Sequence, residues 1–145
     1  MTGTGILIDD THWPLLLQEF VGSPSVEQCR EFFLRRTTYL ERGEPHIGIS
    51  DTTRMKLPPP EFRPMQAEWL ARHDALLART FLGTASIIRA PDILLLKSAA
   101  SFRTTLPYPT INVTDMHAAV RWSVERLEAA GLAGPAARLR HRFGL

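Results

Sequence analysis

Cysteine is almost absent from this 145-residue sequence, since Cys29 is the single one. One thiol excludes an internal disulfide and a metal site built from several cysteines, and it is typical of a reducing compartment. Residues 1–13 lack the basic region and apolar run of a secretory signal, and no segment reaches the roughly 18 apolar residues of a membrane span. We therefore expect a cytoplasmic protein without a transmembrane segment.

Charge of one sign is also scarce. Lys and Arg number 17 against 15 for Asp and Glu, which gives a net charge of +2, so a nucleic-acid partner is not expected. The five histidines lack the close spacing and the cysteine neighbours of a zinc site; they are His12, His46, His73, His117 and His141. The sequence predicts no metal and no cofactor.

Catalytic motifs are missing as well. There is no Gly-x-Ser-x-Gly elbow and no glycine-rich phosphate loop. Cys29 falls on the inward stripe of a predicted helix, and the adjacent His73 and Asp74 point about 100° apart on a helix, so neither forms a catalytic pair. We expect a non-enzymatic protein. A hydrolase-like enzyme stays open as a further class, because an acid, a base and a hydroxyl follow predicted strands and would meet at one sheet edge: Asp51, Arg89 and Thr114.

The sequence contains instead a series of short apolar runs separated by helical patterns. Hydrophobic residues make up 44% of the chain, as in one packed domain. Residues 5–9 and 15–20 are apolar runs on either side of a turn-forming segment. This arrangement predicts that an antiparallel hairpin opens the fold.

A helix and a strand are predicted next. The helix begins either at Pro24 or at a capping box of Ser25 and Gln28, and it runs to about Arg42. A short isoleucine-rich strand follows from His46 to Ser50. The remaining elements alternate in the same way: a long helix from Glu61 to near Gly83, a strand over Thr84 to Arg89, a short helix from Ala90 to about Phe102, a strand over Thr110 to Val113, and a helix capped by Thr114 or Asp115 that ends at Gly131.

This order predicts an α/β fold with a mixed, mainly parallel sheet of about five strands, opened by the N-terminal hairpin and flanked by four helices. We expect this domain to cover residues 1–132. Residues 133–145 are predicted to form a short basic C-terminal helix or a tail, with the helix favoured because Ala136, Leu139 and Phe143 recur at spacings of three and four.

Four segments stand in a particular order along the chain: the opening hairpin, the strand end Ile49-Ser50-Asp51, the apolar strand Ala85 to Ile88, and Ile111-Asn112-Val113 followed by Thr114-Asp115 and a helix with Ala118-Ala119 and Trp122. From about Ile6 to Gly131 this order resembles the STAS family, the anti-sigma-factor-antagonist fold, and the STAS-like bacterial proteins sometimes grouped with SEC14-type lipid-transfer domains. The resemblance implies a non-enzymatic signalling module that binds a protein partner.

The resemblance also implies a phosphorylated serine or threonine at the start of the helix after the acidic strand end. This sequence departs from that pattern, because Leu57-Pro58-Pro59-Pro60-Glu61 stands where such proteins have Asp-Ser-Ser-Gly. Thr52 and Thr53 are the substitute hydroxyls in the same segment. They are candidate phosphosites, and the alternative is that they serve only in turn and strand-edge structure.

We predict that the partner docks on the loop of residues 51–60 and on the start of the long helix. The predicted partner-binding residues are an acid, two hydroxyls and two cations: Asp51, Thr52, Thr53, Arg54 and Arg63. Asp51 has three interpretations. It accepts a hydrogen bond from the partner, it pairs with Arg54, or it caps backbone amides of the turn.

A second interpretation makes the chain a binding protein for a lipid or a small hydrophobic or anionic ligand. The predicted lining of such a cavity is Phe62, Met65, Trp69 and Phe102. The alternative is that these side chains fill the core themselves, because native interiors are close-packed.

Arginines concentrate at two places in the chain: Arg30, Arg35, Arg36 and Arg42, and then Arg138, Arg140 and Arg142. The C-terminal group is predicted to contact an acidic partner or to be solvated, because it has too few apolar neighbours for membrane attachment. Phe32 and Leu34 lie opposite the Cys29 stripe of the first helix. Apolar residues on two faces of one helix predict a homodimer.

Overall fold

The computed structural model describes residues 4–88 and 106–145. Its five strands form one sheet in the order of the sequence: β1 Gly5–His12, β2 Leu15–Gly22, β3 His46–Met55, β4 Phe81–Ile87 and β5 Thr110–Val113. The β1–β2 pair is antiparallel and the other three pairs are parallel. The predicted mixed, mainly parallel sheet with an opening hairpin is confirmed.

Five helices are described around this sheet: α1 Val26–Leu40, α2 Phe62–Arg72, α3 Asp74–Thr80, α4 Met116–Ala129 and α5 Ala133–Phe143. The short helix predicted from Ala90 to about Phe102 lies outside the described residues. None of the helices in residues 4–88 and 106–145 is long and apolar enough to cross a bilayer.

The hydrophobic core has an aliphatic and an aromatic part. The aliphatic core lies between the sheet and helices α4 and α5, and its buried members are Leu15, Ile47, Ile49, Ala85, Ile87, Ala119, Val120, Val124, Leu127, Ala136 and Leu139. The aromatic core lies against α1, α2 and α3, and its buried members are Phe20, Phe32, Phe33, Leu40, Trp69, Leu70, Leu77 and Phe81. The central strands are therefore covered on both faces, as parallel strands require.

Local capping signals correctly predicted where two helices begin. Ser25 accepts a hydrogen bond from the Gln28 amide, and the Gln28 side chain accepts one from the Ser25 amide, so the capping box starts α1. The sequence predicted two possible starts for α1, at Pro24 or at this capping box, and the later one is observed. Asp115 caps α4 by accepting a hydrogen bond from the Ala118 amide at 2.8 Å.

The predicted long helix from Glu61 to near Gly83 is wrong in two respects. The helix breaks at His73, whose backbone angles of −112° and 15° lie outside the helical region, and two short helices result. The chain then becomes strand at Phe81, which pairs with His46, so β4 begins three residues earlier than predicted. A strand partner and burial of the Phe81 ring prevail over helical periodicity here, as tertiary context commonly does.

The predicted strand end at Ser50 is also wrong. Strand β3 continues to Met55, because its second half pairs with β2 as far as Gly22. Residues 51–55 are therefore strand. Only residues 56–61, which include the three prolines, form the connection to α2. Proline lacks an amide donor, so the pairing cannot continue through residues 58–60.

Candidate functional site

The carboxyl end of the parallel strands holds most of the predicted partner-binding residues. Glu19 pairs with Asp51 and Val21 pairs with Arg54, so β3 has one residue more than β2 between these pairs. This is a β-bulge. Bulges redirect side chains and are common beside binding sites.

Asp51 stabilises the bulge from within. Its Oδ1 accepts hydrogen bonds from the Thr53 amide at 3.0 Å and from the Thr53 hydroxyl at 2.7 Å. The predicted pairing of Asp51 with Arg54 is not formed. Arg54 lies instead 3.8 Å from the Glu19 carboxylate, and both of these side chains are partly exposed. The structure has the interpretation in which the Asp51 carboxylate binds nearby backbone. A hydrogen bond from Asp51 to a partner stays a prediction.

The two candidate phosphosites differ in accessibility. Thr52 is 2% exposed, and its hydroxyl donates a hydrogen bond to the Ile87 carbonyl at 2.7 Å, which ties β3 to β4. A kinase could reach this hydroxyl only if the two strands separated. Thr53 is partly exposed, and its hydroxyl bonds to Asp51.

The connection from β3 to α2 presents further exposed side chains. Arg63 lies in the first turn of α2 and is exposed. Between Arg54 and Arg63 are the exposed Lys56, Leu57 and Glu61, and Leu57 has 57% of its surface accessible. Sequence reasoning did not single out Leu57. Its position directly before three prolines was the available signal, because a residue before proline is held extended and cannot fold back into a helix.

The predicted lining of a ligand cavity is packed against other rings. The Phe33 ring centroid lies 5.7 Å from those of Phe62 and Trp69, and the Trp69 indole donates a hydrogen bond to the Thr37 hydroxyl at 2.9 Å. Met65 is partly buried against the same aromatic core, and Phe102 lies outside the described residues. A ligand could enter between Phe62 and Trp69 only by displacing them, and the rest of the predicted lining stays a prediction.

The amino end of the strands is built from rings and cations that sequence reasoning did not assign to any site. The His46 ring lies between Trp13 and Phe81, at centroid distances of 5.2 and 5.1 Å, and its Nδ1 is 2.9 Å from the Glu44 carbonyl. Burial is the main cause that lowers the pKa of His46, and the nearby Arg36 and Arg42 lower it further. His46 is therefore neutral near pH 7.

Arg36 is a buried cation at the same end. Its guanidinium lies 4.5 Å from the centroid of Trp69 and 5.1 Å from that of Phe81. Burial lowers the pKa of Arg36, and Tyr108 opposes this effect. The sequence signal for this burial was the position of Arg36 on the apolar stripe of α1. A charged residue is rarely fully buried without partners, and the aromatic rings are its partners here.

Two residues of α1 bear on other predictions. Phe32 is buried in the aromatic core, so the predicted second apolar face of the helix is reduced to Leu34, which is 64% exposed. Cys29 is fully buried, and burial raises the pKa of its thiol. A raised pKa disfavours the reactive thiolate form. Within the described ranges, no three side chains of the metal-binding types lie close enough together to hold an ion.

Known protein families and curated proteins give no match to this sequence. Solved structures do. An uncharacterized protein of the DUF3478 family with a SpoIIAA-like fold, from Shewanella loihica PV-4, superposes with a TM-score of 0.63 at 16% identity, over 85% of this chain and 98% of that one.

Two further solved structures are similar. A chain in the complex of the diguanylate cyclase SiaD with its activator SiaC, from Pseudomonas aeruginosa, has a TM-score of 0.53 at 13% identity, over 78% of this chain and 96% of that one. An anti-sigma factor antagonist from Mycobacterium paratuberculosis has a TM-score of 0.52 at 10% identity, over 81% and 92%. The chain thus has the STAS-like fold that its sequence resemblance implied.

Proposed function

We propose that this protein is a non-enzymatic module that binds a protein partner through the carboxyl end of its strands. Two of the structures that share its fold come from regulatory systems, namely an anti-sigma factor antagonist and a complex between a cyclase and its activator. The likeness is one of fold, so it supports partner binding in general. The choice of surface rests on the geometry of this chain.

The observation that carries the choice of surface is that Leu57, one of three exposed large apolar side chains among the described residues, follows the bulge by a few residues in the chain. A large apolar side chain in water is a favourable anchor when a partner covers it, and burying a leucine contributes roughly 1.5–3 kcal/mol. Arg54, Lys56 and Glu61 surround it in the sequence and are exposed. An apolar centre with a charged rim is the usual composition of a protein–protein interface.

The local structure supports this surface as a rigid one. The hydrogen bonds from Thr53 to Asp51 hold the bulge, and the Lys56 amide donates to the Gly22 carbonyl at 2.8 Å. The prolines at 58–60 restrict the chain that follows. A surface that is already ordered loses little conformational entropy when the partner binds.

The test exchanges Leu57 for aspartate and uses Leu34→Asp as the matched control, because Leu34 is a comparably exposed leucine on α1. A photo-crosslinking residue at position 57 identifies the partner, and calorimetry with the purified partner measures affinity. We expect Leu57→Asp to weaken binding at least tenfold and Leu34→Asp less than twofold. Equal effects of the two substitutions, or none from Leu57→Asp, would refute this surface.

For a phosphorylation switch at this end, we propose Thr53 rather than Thr52. The support is the partial exposure of Thr53 and the full burial of Thr52. A phosphate on Thr53 would place about two negative charges beside the Asp51 carboxylate and break the hydrogen bond between them. Phosphopeptide mapping of protein from its native cell tests this proposal, and phosphate found on Thr52 would contradict it.

A further inference from the structure

A cavity of about 130 Å³ lies at the amino end of the strands, between the β1–β2 turn and helix α5. Its lining combines two guanidiniums, an imidazole and a hydroxyl with an apolar floor: Arg138, Arg142, His12, Thr11, Trp13, Pro135 and Leu139. It lies at the opposite end of the sheet from the bulge in β3. The proposed partner surface therefore does not account for it.

The two arginines are positioned together by helix geometry. Arg138 and Arg142 are four residues apart on α5, so their side chains leave the same face of the helix. Among the residues that the structure describes, no carboxylate lies within ion-pair distance of either guanidinium. Two like charges at this spacing destabilise a helix unless an anion lies between them.

By contrast, Arg140 on the same helix is paired with a carboxylate. Its guanidinium makes two hydrogen bonds to the Glu128 carboxylate, at 2.9 and 3.0 Å. The favourable interaction of cations with a helix C-terminus explains basic residues in the last turn of α5. It does not explain why Arg138, a turn earlier, lines the cavity without a carboxylate partner.

The remaining lining residues are held in place. The His12 ring lies 5.1 Å from the Phe143 ring, and Trp13 is stacked on His46 and Tyr39 at 5.2 and 5.6 Å. The guanidinium of Arg42 lies 4.5 Å from the Trp13 ring and adds positive charge nearby. The rings of the lining are thus held in place, and both charged side chains of the lining, Arg138 and Arg142, are cations.

The carboxylate of Asp9 lies near the cavity and disfavours the binding of an anion there. Asp9 accepts a hydrogen bond from the Thr11 amide at 2.9 Å, and its carboxylate is close enough to be stabilised by His12 and Arg142. Asp9 is exposed and makes no ion pair with another described residue. It therefore reduces the attraction for a ligand without closing the cavity.

We propose that this cavity binds the phosphate group of a small soluble molecule. Guanidiniums at this spacing offer paired N–H donors that match phosphate oxygens. The volume suits a small group: one water needs about 10–15 Å³, so the cavity holds on the order of ten non-hydrogen atoms. Pockets for ligands of drug or nucleotide size measure about 300–1,000 Å³.

The test follows the indole N–H signals of the protein by NMR while inorganic phosphate or glycerol phosphate is added at constant ionic strength. The indole of Trp13 lines the cavity, whereas Trp69 and Trp122 are internal references away from it. We expect only the Trp13 signal to shift, and glycerol phosphate to bind at least as tightly as inorganic phosphate. An equal shift with chloride would overturn the proposal.

Substitutions then assign the binding to the cavity. We expect Arg138→Gln and Arg142→Gln each to weaken phosphate binding at least fivefold, Arg140→Gln to change it less than twofold, and Asp9→Asn to strengthen it at least twofold. Thermal unfolding of each variant checks that the fold is intact. An Arg140→Gln effect equal to that of Arg138→Gln, or binding only to vesicles with anionic phospholipids, would overturn a small soluble phosphate as the ligand.

Discussion

The two ends of the parallel strands are built on different principles. At the carboxyl end, the polar side chains bond to near neighbours in the chain or on the adjacent strand, as Asp51 does to Thr53 and Arg54 to Glu19. At the amino end, Arg36 and His46 are buried among aromatic rings from several elements. A polar group held by local bonds can be replaced without disturbing the core. A polar group enclosed by rings is part of the core.

This difference separates residues for stability from residues for binding. We expect substitutions inside the amino end to change the free energy of unfolding, and substitutions at the carboxyl end to change partner affinity. The arginines on the rim of the amino-end cavity, Arg138 and Arg142, are exposed and belong with the second group. The predictions below test this separation in order of expected effect.

Arg36→Ala should have the largest effect, a loss of about 3 kcal/mol in the free energy of unfolding. The substitution leaves a cavity and removes the cation from the faces of Trp69 and Phe81. Urea denaturation measures it. The control is Arg30→Ala on the exposed side of the same helix, where the ion pair with Glu27 contributes at most about 0.5 kcal/mol. Similar values for the two variants would show that Arg36 is not part of the core.

Arg36→Met sharpens the first prediction by separating volume from charge. Methionine restores most of the apolar contact and needs no buried charge. We expect it to recover at least half of the stability lost in Arg36→Ala. A variant as unstable as Arg36→Ala would instead assign the effect to the cation and its contacts with the Trp69 and Phe81 rings.

His46 should make stability depend on pH. Burial lowers its pKa in the folded state below the unfolded value of about 6.5, so the unfolded state binds the proton more readily. The free energy of unfolding should therefore fall as the pH falls below about 6.5, with a slope from this group of up to about 1.4 kcal/mol per pH unit. Urea denaturation between pH 7.5 and pH 5.5 measures the slope.

The control for His46 is a replacement that does not titrate. His46→Asn should remove this part of the pH dependence. The difference in slope between variants is the quantity of interest, because the contributions of other titrating groups cancel. Equal slopes in the wild type and His46→Asn would contradict the prediction.

Asp51→Ala should cost about 1 kcal/mol, since it removes the acceptor of two hydrogen bonds from Thr53. Asp51→Asn keeps an oxygen at that position and should lose less than half as much. Thermal unfolding of both variants measures the difference. If the two variants lose equal stability, the negative charge rather than the hydrogen bonding holds the bulge.

Arg54→Ala should have the smallest effect on stability, below about 0.5 kcal/mol. Its contact with Glu19 is long, at 3.8 Å, and both side chains are partly exposed, so water and salt screen it. The same variant should weaken partner binding, measured as for Leu57→Asp. A large loss of stability without loss of binding would reverse the roles assigned to the two ends of the sheet.

Local signals were sufficient to predict much of the fold. The hairpin, the capping box of Ser25 and Gln28, and the cap Asp115 depend on residues within a few positions of one another. The end of β3 and the start of β4 at Phe81 could not be predicted in this way. They depend on pairing with strands that are distant in the sequence, β2 for the first and β3 for the second.

The candidate sites show the same limit. The sequence identified the segment from Asp51 to Arg54 but not the fact that Thr52 is enclosed, because enclosure comes from the Ile87 carbonyl on the neighbouring strand. It identified a C-terminal cluster of arginines but not the cavity, because Thr11, His12 and Trp13 reach α5 only after folding. Side-chain chemistry was visible in the sequence, and side-chain neighbours were not.

The sequence by itself determined the α/β class and the order of the described strands along the chain, and it narrowed the starts of helices α1 and α4 to two candidates each, since hydrophobic periodicity and capping act over a few residues. Only the tertiary structure decided that residues 51–55 are strand, that Arg36 and His46 are core residues, and that Arg138 and Arg142 line a cavity with His12. The physical reason is that strand pairing, burial and charge environment are set by residues far apart in the chain.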